Sequence, residues 1–417
     1  MSNLTRRISA FAVAAGAAAC SNSTEIKGPP SPLTSLPRAL TSAERSVSTA
    51  GNEFTLRLFQ QINADHSQKN VFVSPLSASM ALGMTLNGAA AGTFDAMRTT
   101  LAFGGASQQT INEGYKGLID LLSGLDKSTT FQLANSIWYR QDFHFEQPFL
   151  DAGKTYFGAD VRGLDFAATQ ASLAAINGWV NTKTNGKIPT IVDQIAQQDV
   201  MFLINAIYFK GSWRERFDPA ETHDGTFRTS GGATQTVKLM HRGGHDNKLR
   251  YFSTADYQVA DLPYGNDAWT MTILLPNENK SVDDVIAALT PQQWESITSQ
   301  LAERTGMDLY LPKFKLTWER TLNDDLTALG MGVAFDANAA NFSHMSPEQL
   351  YITKVKQKSF VDVNEEGTEA AAATSVGIGV TSLPPQFRVD HPFVFVIRER
   401  LSGTILFIGK VGEIPPA

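Results

Sequence analysis

Cysteine is almost missing from this chain. Cys20 is the only one among 417 residues, so an intrachain disulfide, thiol catalysis and a zinc-thiolate site are all excluded. Long basic runs are missing as well, and the net charge is a mild −6, which argues against nucleic acid and heparin-like polyanions as partners. Beyond the N-terminus no apolar run is long enough to span a bilayer. Catalytic patterns are equally scarce. The seven histidines, His66, His144, His223, His241, His245, His344 and His391, form no HExxH pair, and no G-x-S-x-G elbow occurs. His241 and His245 flank Gly243-Gly244 and read as loop residues. Gly377-Ile378-Gly379 lacks the third glycine of a dinucleotide loop. Nothing here reads as an enzyme, and no cofactor or metal is implied.

The first residues read as an export signal. Arg6 and Arg7 precede the Ala-rich apolar run 8–19, and Ala17-Ala18-Ala19-Cys20 follows. These four resemble a bacterial lipobox, in which the cysteine is lipidated, although Leu is usual where Ala17 stands. An ordinary secretory signal with small residues at its cleavage site is the other reading. Arg6-Arg7 also suggests twin-arginine export, without its full motif. Residues 1–19 are therefore expected to be a signal peptide and 20–46 a disordered tether rich in Ser, Pro and Thr. The product would be exported to the extracellular space or cell envelope, anchored if Cys20 is lipidated.

Past this region the pattern is that of one mixed α+β domain spanning 47–417. Phe54, Leu58, Phe59 and Ile62 recur at helical spacing. Val71-Phe72-Val73 reads as a buried strand, then Ser74 as an N-cap with Pro75 at the first helical position. The run 202–209 is nearly all apolar, as expected of a strand covered on both faces. Met271 to Leu275 is another strand. Leu309, Leu311, Phe314 and Leu316 alternate, with Pro312 and Lys313 displacing the register. Phe393 to Ile397 and Thr404 to Val411 read as a hairpin.

Several segments, in order, carry a family pattern: Asn70 to Ser77 (NVFVSPLS), Ala134-Asn135-Ser136-Ile137-Trp138, Ile176-Asn177-Gly178-Trp179-Val180, Leu203 to Trp213 (LINAIYFKGSW), Arg388 to Phe395 (RVDHPFVF) and Phe407-Ile408-Gly409-Lys410-Val411. Together with Asn364-Glu365-Glu366-Gly367-Thr368-Glu369-Ala370-Ala371-Ala372-Ala373, they resemble the serpins, and the last segment resembles the reactive-loop hinge of inhibitory members. The resemblance covers nearly all of 47–417. It implies a large central β-sheet, two further sheets, surrounding helices and an exposed reactive loop at about 365–385. Ser74, Ser77, Asn205 and Gln357 would form a shutter where two central strands part, with Gln357 standing where the family often has His. Trp213, Lys313 and Glu365 would form a breach where the loop first enters, with a Glu365–Lys313 ion pair.

Aligned on the hinge and on Pro392-Phe393, the scissile bond falls at Thr381-Ser382, with cleavage after Val380 as the alternative. If the hinge became a strand, Thr368, Ala370, Ala372, Thr374, Val376 and Ile378 would share one face. All are small or apolar, and no proline interrupts 367–382. The implied activity is irreversible inhibition of a serine protease, which is trapped as an acyl-enzyme while the cut loop inserts into the sheet. Val380 and Thr381 suit an elastase-like pocket first and a subtilisin-like one second. No Lys or Arg lies between Gly367 and Gln386, so a trypsin-like target is disfavoured. A monomer is expected. The rival reading is a non-inhibitory serpin fold with a binding or chaperone-like role, but such members usually carry bulky or charged hinge residues.

Overall fold

Three β-sheets share one hydrophobic core in a computed structural model that describes residues 30–65, 68–368 and 385–416. Strands are numbered in chain order. The sheet that matters here has six strands, in spatial order β12 (Phe314–Thr321), β13 (Lys356–Asn364), β14 (Gly367–Thr368), β4 (Met201–Ser212), β2 (Thr130–Arg140) and β3 (Asp160–Leu164). A seven-stranded sheet runs β1 (Asn70–Val73), β17 (Ile405–Val411), β16 (Phe393–Glu399), β9 (Trp269–Pro276), β8 (Tyr257–Tyr264), β7 (Lys248–Ser253) and β10 (Ala302–Thr305). The third holds β15 (Gln386–Arg388), β11 (Asp308–Pro312), β6 (Thr234–Arg242) and β5 (His223–Arg228).

The local rules of the sequence explain these elements. Strand β13 alternates buried with half-buried positions along its length, the period-two signature of a sheet with one face on the core. Strand β4 lies between two apolar layers. Ile207 and Phe209 join the main core, while Ile204 and Ala206 pack under the helix Thr169–Lys183 with Ile176, Trp179 and Val180. Its near-continuous apolar run follows from that double cover. At Pro312-Lys313 the chain leaves the third sheet and enters the six-stranded one, which is why the alternation around Leu309 and Phe314 slips. The helix Pro75–Leu86 starts at Pro75 behind Ser74. The Ser74 hydroxyl, however, donates to Leu406 O instead of capping the helix.

Three expectations need correction. The tether does not run to residue 46. Thr41 and Glu44 form a capping box that starts the first helix at Ser42 (Ser42–Asn63). Ahead of it, Leu33, Leu36 and Leu40 pack on the core, Leu33 N donates to Asn266 O, and Arg400 and Arg214 donate to Leu33 O and Pro30 O. Second, Glu365 to Thr368 are buried, with Gly367 and Thr368 already in the sheet, so the exposed loop cannot begin at 365. Third, His241 lies in β6, not in a loop.

Asp261 and Arg398, both almost fully buried, pair at 2.7 Å across β8 and β16, with Thr272 bonded to each. Arg398→Met would leave the Asp261 carboxylate short of its main cation inside the core. The variant is expected to lose about 3 kcal/mol or more, read as a lower guanidinium midpoint.

Candidate functional site

The site is a seam in the six-stranded sheet. Strands β4 and β13 run parallel to each other, and β14 bridges them only at one end, pairing Gly367 with Ser212 and Asn364, and Thr368 with Gly211 and Val363. Among the described residues, β4 and β13 share no ladder below that point. Between them opens a cavity of about 660 Å³ lined by Ser74, Ser77, Asn205, Gln357 and Ser359 among others. A sheet interior normally pairs its backbone groups, so this seam has room for one more strand.

At the closed end, geometry forces glycine. Gly367 has φ +150°, and a Cβ there would lie 2.0 Å from Gly211 O. Gly211 lies under the Tyr264 ring, where a Cβ would come within 2.8 Å. The hinge therefore enters through a contact between two bare backbones. Trp213, stacked on Tyr264 at 4.4 Å, holds the turn before it. Its Nε1 donates to Asn364 O and its backbone N–H to Glu366 O, while Phe217 N donates to Glu365 O.

Lys313 Nζ stands 2.8 Å from Glu365 Oε2, and the Thr222 hydroxyl donates to Oε1 of the same carboxylate. Burial alone would push this carboxyl up, but Lys313, its own backbone N–H and Thr222 together hold it below its ordinary value. Trp213, Lys313 and Glu365 thus meet in one place. Tyr264 and Thr222 complete it, and neither carried a sequence signal. The Tyr264 hydroxyl shares a 2.9 Å hydrogen bond with Thr368 Oγ1, and its burial raises its pKa.

Half-way down the seam, the other named residues meet in two pairs. Ser74 N donates to Gln357 Oε1 and the Gln357 amide donates back to Ser74 O. Ser77 Oγ donates to Asn205 O, and the Asn205 amide donates to Asn135 Oδ1 on β2 at 2.7 Å. Gln357 does not reach Asn205. As a result Asn205 Oδ1 on one lip and Ser359 Oγ on the other are buried without a hydrogen-bond partner. Cys20, Glu369 to Ala373, Val380, Thr381 and Ser382 lie outside the described residues.

Two outcomes test the closed end. Gly367→Ala is expected to expel β14, seen as faster hydrogen exchange at the Trp213 and Phe217 amides. The lowered Glu365 pKa contributes stability that is complete above the unfolded-chain value of about 4.3 and is lost as pH falls through the folded value. Thermal midpoints of the uncut protein between pH 5 and 3 are expected to fall less in Glu365→Gln than in wild type.

A profile of the family "Serpin (serine protease inhibitor)" matches residues 49–414. Human serpin B11 is 36% identical over 393 residues, covering 88% of this chain and 99% of the relative. Mouse leukocyte elastase inhibitor A is 36% identical over 379 residues, covering 88% and 98%. Among solved structures, the thermophilic serpin tengpin in its native state superposes with a TM-score of 0.80 at 30% identity, covering 93% of this chain and 97% of that one. Human thyroxine-binding globulin complexed with its ligand also gives 0.80, at 27% identity over 90% of this chain and all of that one. With its three sheets, its half-open seam and a family profile over most of its length, this chain belongs to the serpins.

Proposed function

We propose that the chain inhibits serine proteases irreversibly, by accepting cleavage near Thr381-Ser382 and inserting residues 369–378 into the seam between β4 and β13. The observation that carries this reading is the register of β14. Thr368 already sits opposite Gly211 on β4 and Val363 on β13. Continued without a slip, the same register would set Thr374 between Asn205 and Gln357, and Ile378 opposite Met201, the first residue of β4. The ten loop residues 369–378 thus match the ten β4 positions 201–210, which ladder to β2 on one edge and, among the described residues, share no ladder with β13 on the other. A strand of that length spans ~34 Å, far enough to carry an attached protease from one end of the sheet to the other.

The side chains fit the same reading. Thr368 is buried, so by alternation Ala370, Ala372 and Thr374 would take its face, and all three are small. Successive inserted residues would supply ladder bonds to the two lips in alternation, a large gain for backbone that is open on its inner edges. That gain has to be collected faster than water clears the acyl-enzyme, so a smooth hinge determines whether the protease is trapped or released. The small residues Val380 and Thr381, and the names of relatives such as leukocyte elastase inhibitor A, support an elastase-like target, with a subtilisin-like one second. The N-terminal pattern further supports export, with Cys20 as the lipid anchor where the lipobox reading holds. No helix among the described residues is long and apolar enough to cross a membrane.

Mixing the purified chain with pancreatic-type elastase is expected to give an SDS-stable band at the summed mass, with a released peptide beginning at Ser382. Ala372→Arg would put a long cation on the face that must be buried. This variant is expected to be cut at the same bond but to lose most of the stable band. Cleavage of the wild type without that band, and without a rise in thermal midpoint after cutting, would overturn the proposal.

A further inference from the structure

We infer that His241 is a positioning residue that, when protonated, ties together the two roots of the reactive loop. The inference rests on the loop-insertion reading for its consequence, though not for its geometry. His241 Nδ1 lies 2.9 Å from Glu221 Oε2, and Nε2 faces Asp308 Oδ2 at 3.8 Å, buried and without a hydrogen-bond partner. Each carboxylate belongs to a different root. Glu221 ends the short turn Pro219–Glu221, and the next residue, Thr222, donates to Glu365 in the hinge. Asp308 opens β11, where its N–H donates to Pro385 O and it pairs with Gln386, at the loop's return.

The groups around the ring are Glu221 from that turn, Asp308 and Tyr310 from β11, His223 from β5 and Arg388 from β15. Tyr310 stacks on the imidazole at 4.5 Å, with Arg388 over the tyrosine ring and His223 at its edge. The ring itself therefore meets two carboxylates directly, and Arg388 only through Tyr310. A neutral imidazole has one N–H to give. If Nδ1 donates it to Glu221, the Nε2 lone pair faces the Asp308 carboxylate at 3.8 Å. The imidazolium presents an N–H to each. Protonation would pull the two carboxylate-bearing segments toward one ring, holding Thr222 against Glu365 and Asp308 against Pro385. The uncut loop would then be held more firmly at both of its ends.

The test compares the full wild-type chain with His241→Gln, Asp308→Asn and His245→Gln, the last being an almost fully exposed control on the following loop. Thermal midpoints of the uncut proteins are measured at pH 6 and pH 8, without protease. Wild type and His245→Gln are expected to gain about 2 °C or more at pH 6 relative to His241→Gln and Asp308→Asn, and the gap is expected to close at pH 8. A His241→Gln midpoint that follows the wild-type pH profile would overturn the clasp. Failure of every protein to trap elastase, with the thermal profile as expected, would overturn the loop-insertion reading and leave the clasp standing.

Discussion

Two strands that lie side by side without bonding each other set the terms for the rest of this molecule. In an ordinary sheet the inner edges of β4 and β13 would be paired, because buried N–H and C=O groups without partners cost free energy. Here they meet only through two residues of β14. Everything around the seam manages that omission. The glycine contact between Gly367 and Gly211 lets a third backbone start between them, and Trp213, Tyr264, Thr222 and Lys313 fix where it starts. The described fold is therefore incomplete in one direction only, and the direction is set by the register of the hinge.

Energetics and function are joined at the middle of the seam. Ser74 and Gln357 satisfy one another, as do Asn205 and Asn135, yet Asn205 Oδ1 and Ser359 Oγ remain buried without partners. A buried polar group left without a partner costs about 1–3 kcal/mol, and both of these residues line the cavity between β4 and β13. Apolar layers cover the two faces of β4. Under the proposed insertion the two groups lie across the path of the loop.

Much of this could be read from residue order. The Ser74-Pro75 junction, the apolar run of β4 and the C-terminal hairpin obey short-range rules, and their strands and helices fall where periodicity puts them. The Glu365–Lys313 contact was legible through the family resemblance, not through any local pattern around Lys313. Tyr264 was not, since it lies 104 positions from its partner Thr368 in a strand whose burial pattern looks like any other. Thr222 and His241 escaped for the same reason: Thr222 lies 143 positions from Glu365, and the carboxylates beside His241 come from a separate turn and from the neighbouring strand β11. The segment before Thr41 was misjudged because Leu33, Leu36 and Leu40 are scattered through a Ser- and Pro-rich stretch, and its other anchors are backbone oxygens of Pro30 and Leu33. The Thr41-to-Glu44 spacing, by contrast, was a visible helix start.

That N-terminal segment also fixes a direction. The chain enters the described body at Pro30, whose carbonyl is held by Arg214, the neighbour of Trp213. Whatever precedes Pro30 therefore joins the described body at the closed end of the seam, beside the turn that Trp213 holds, and not at the far end where β4 begins.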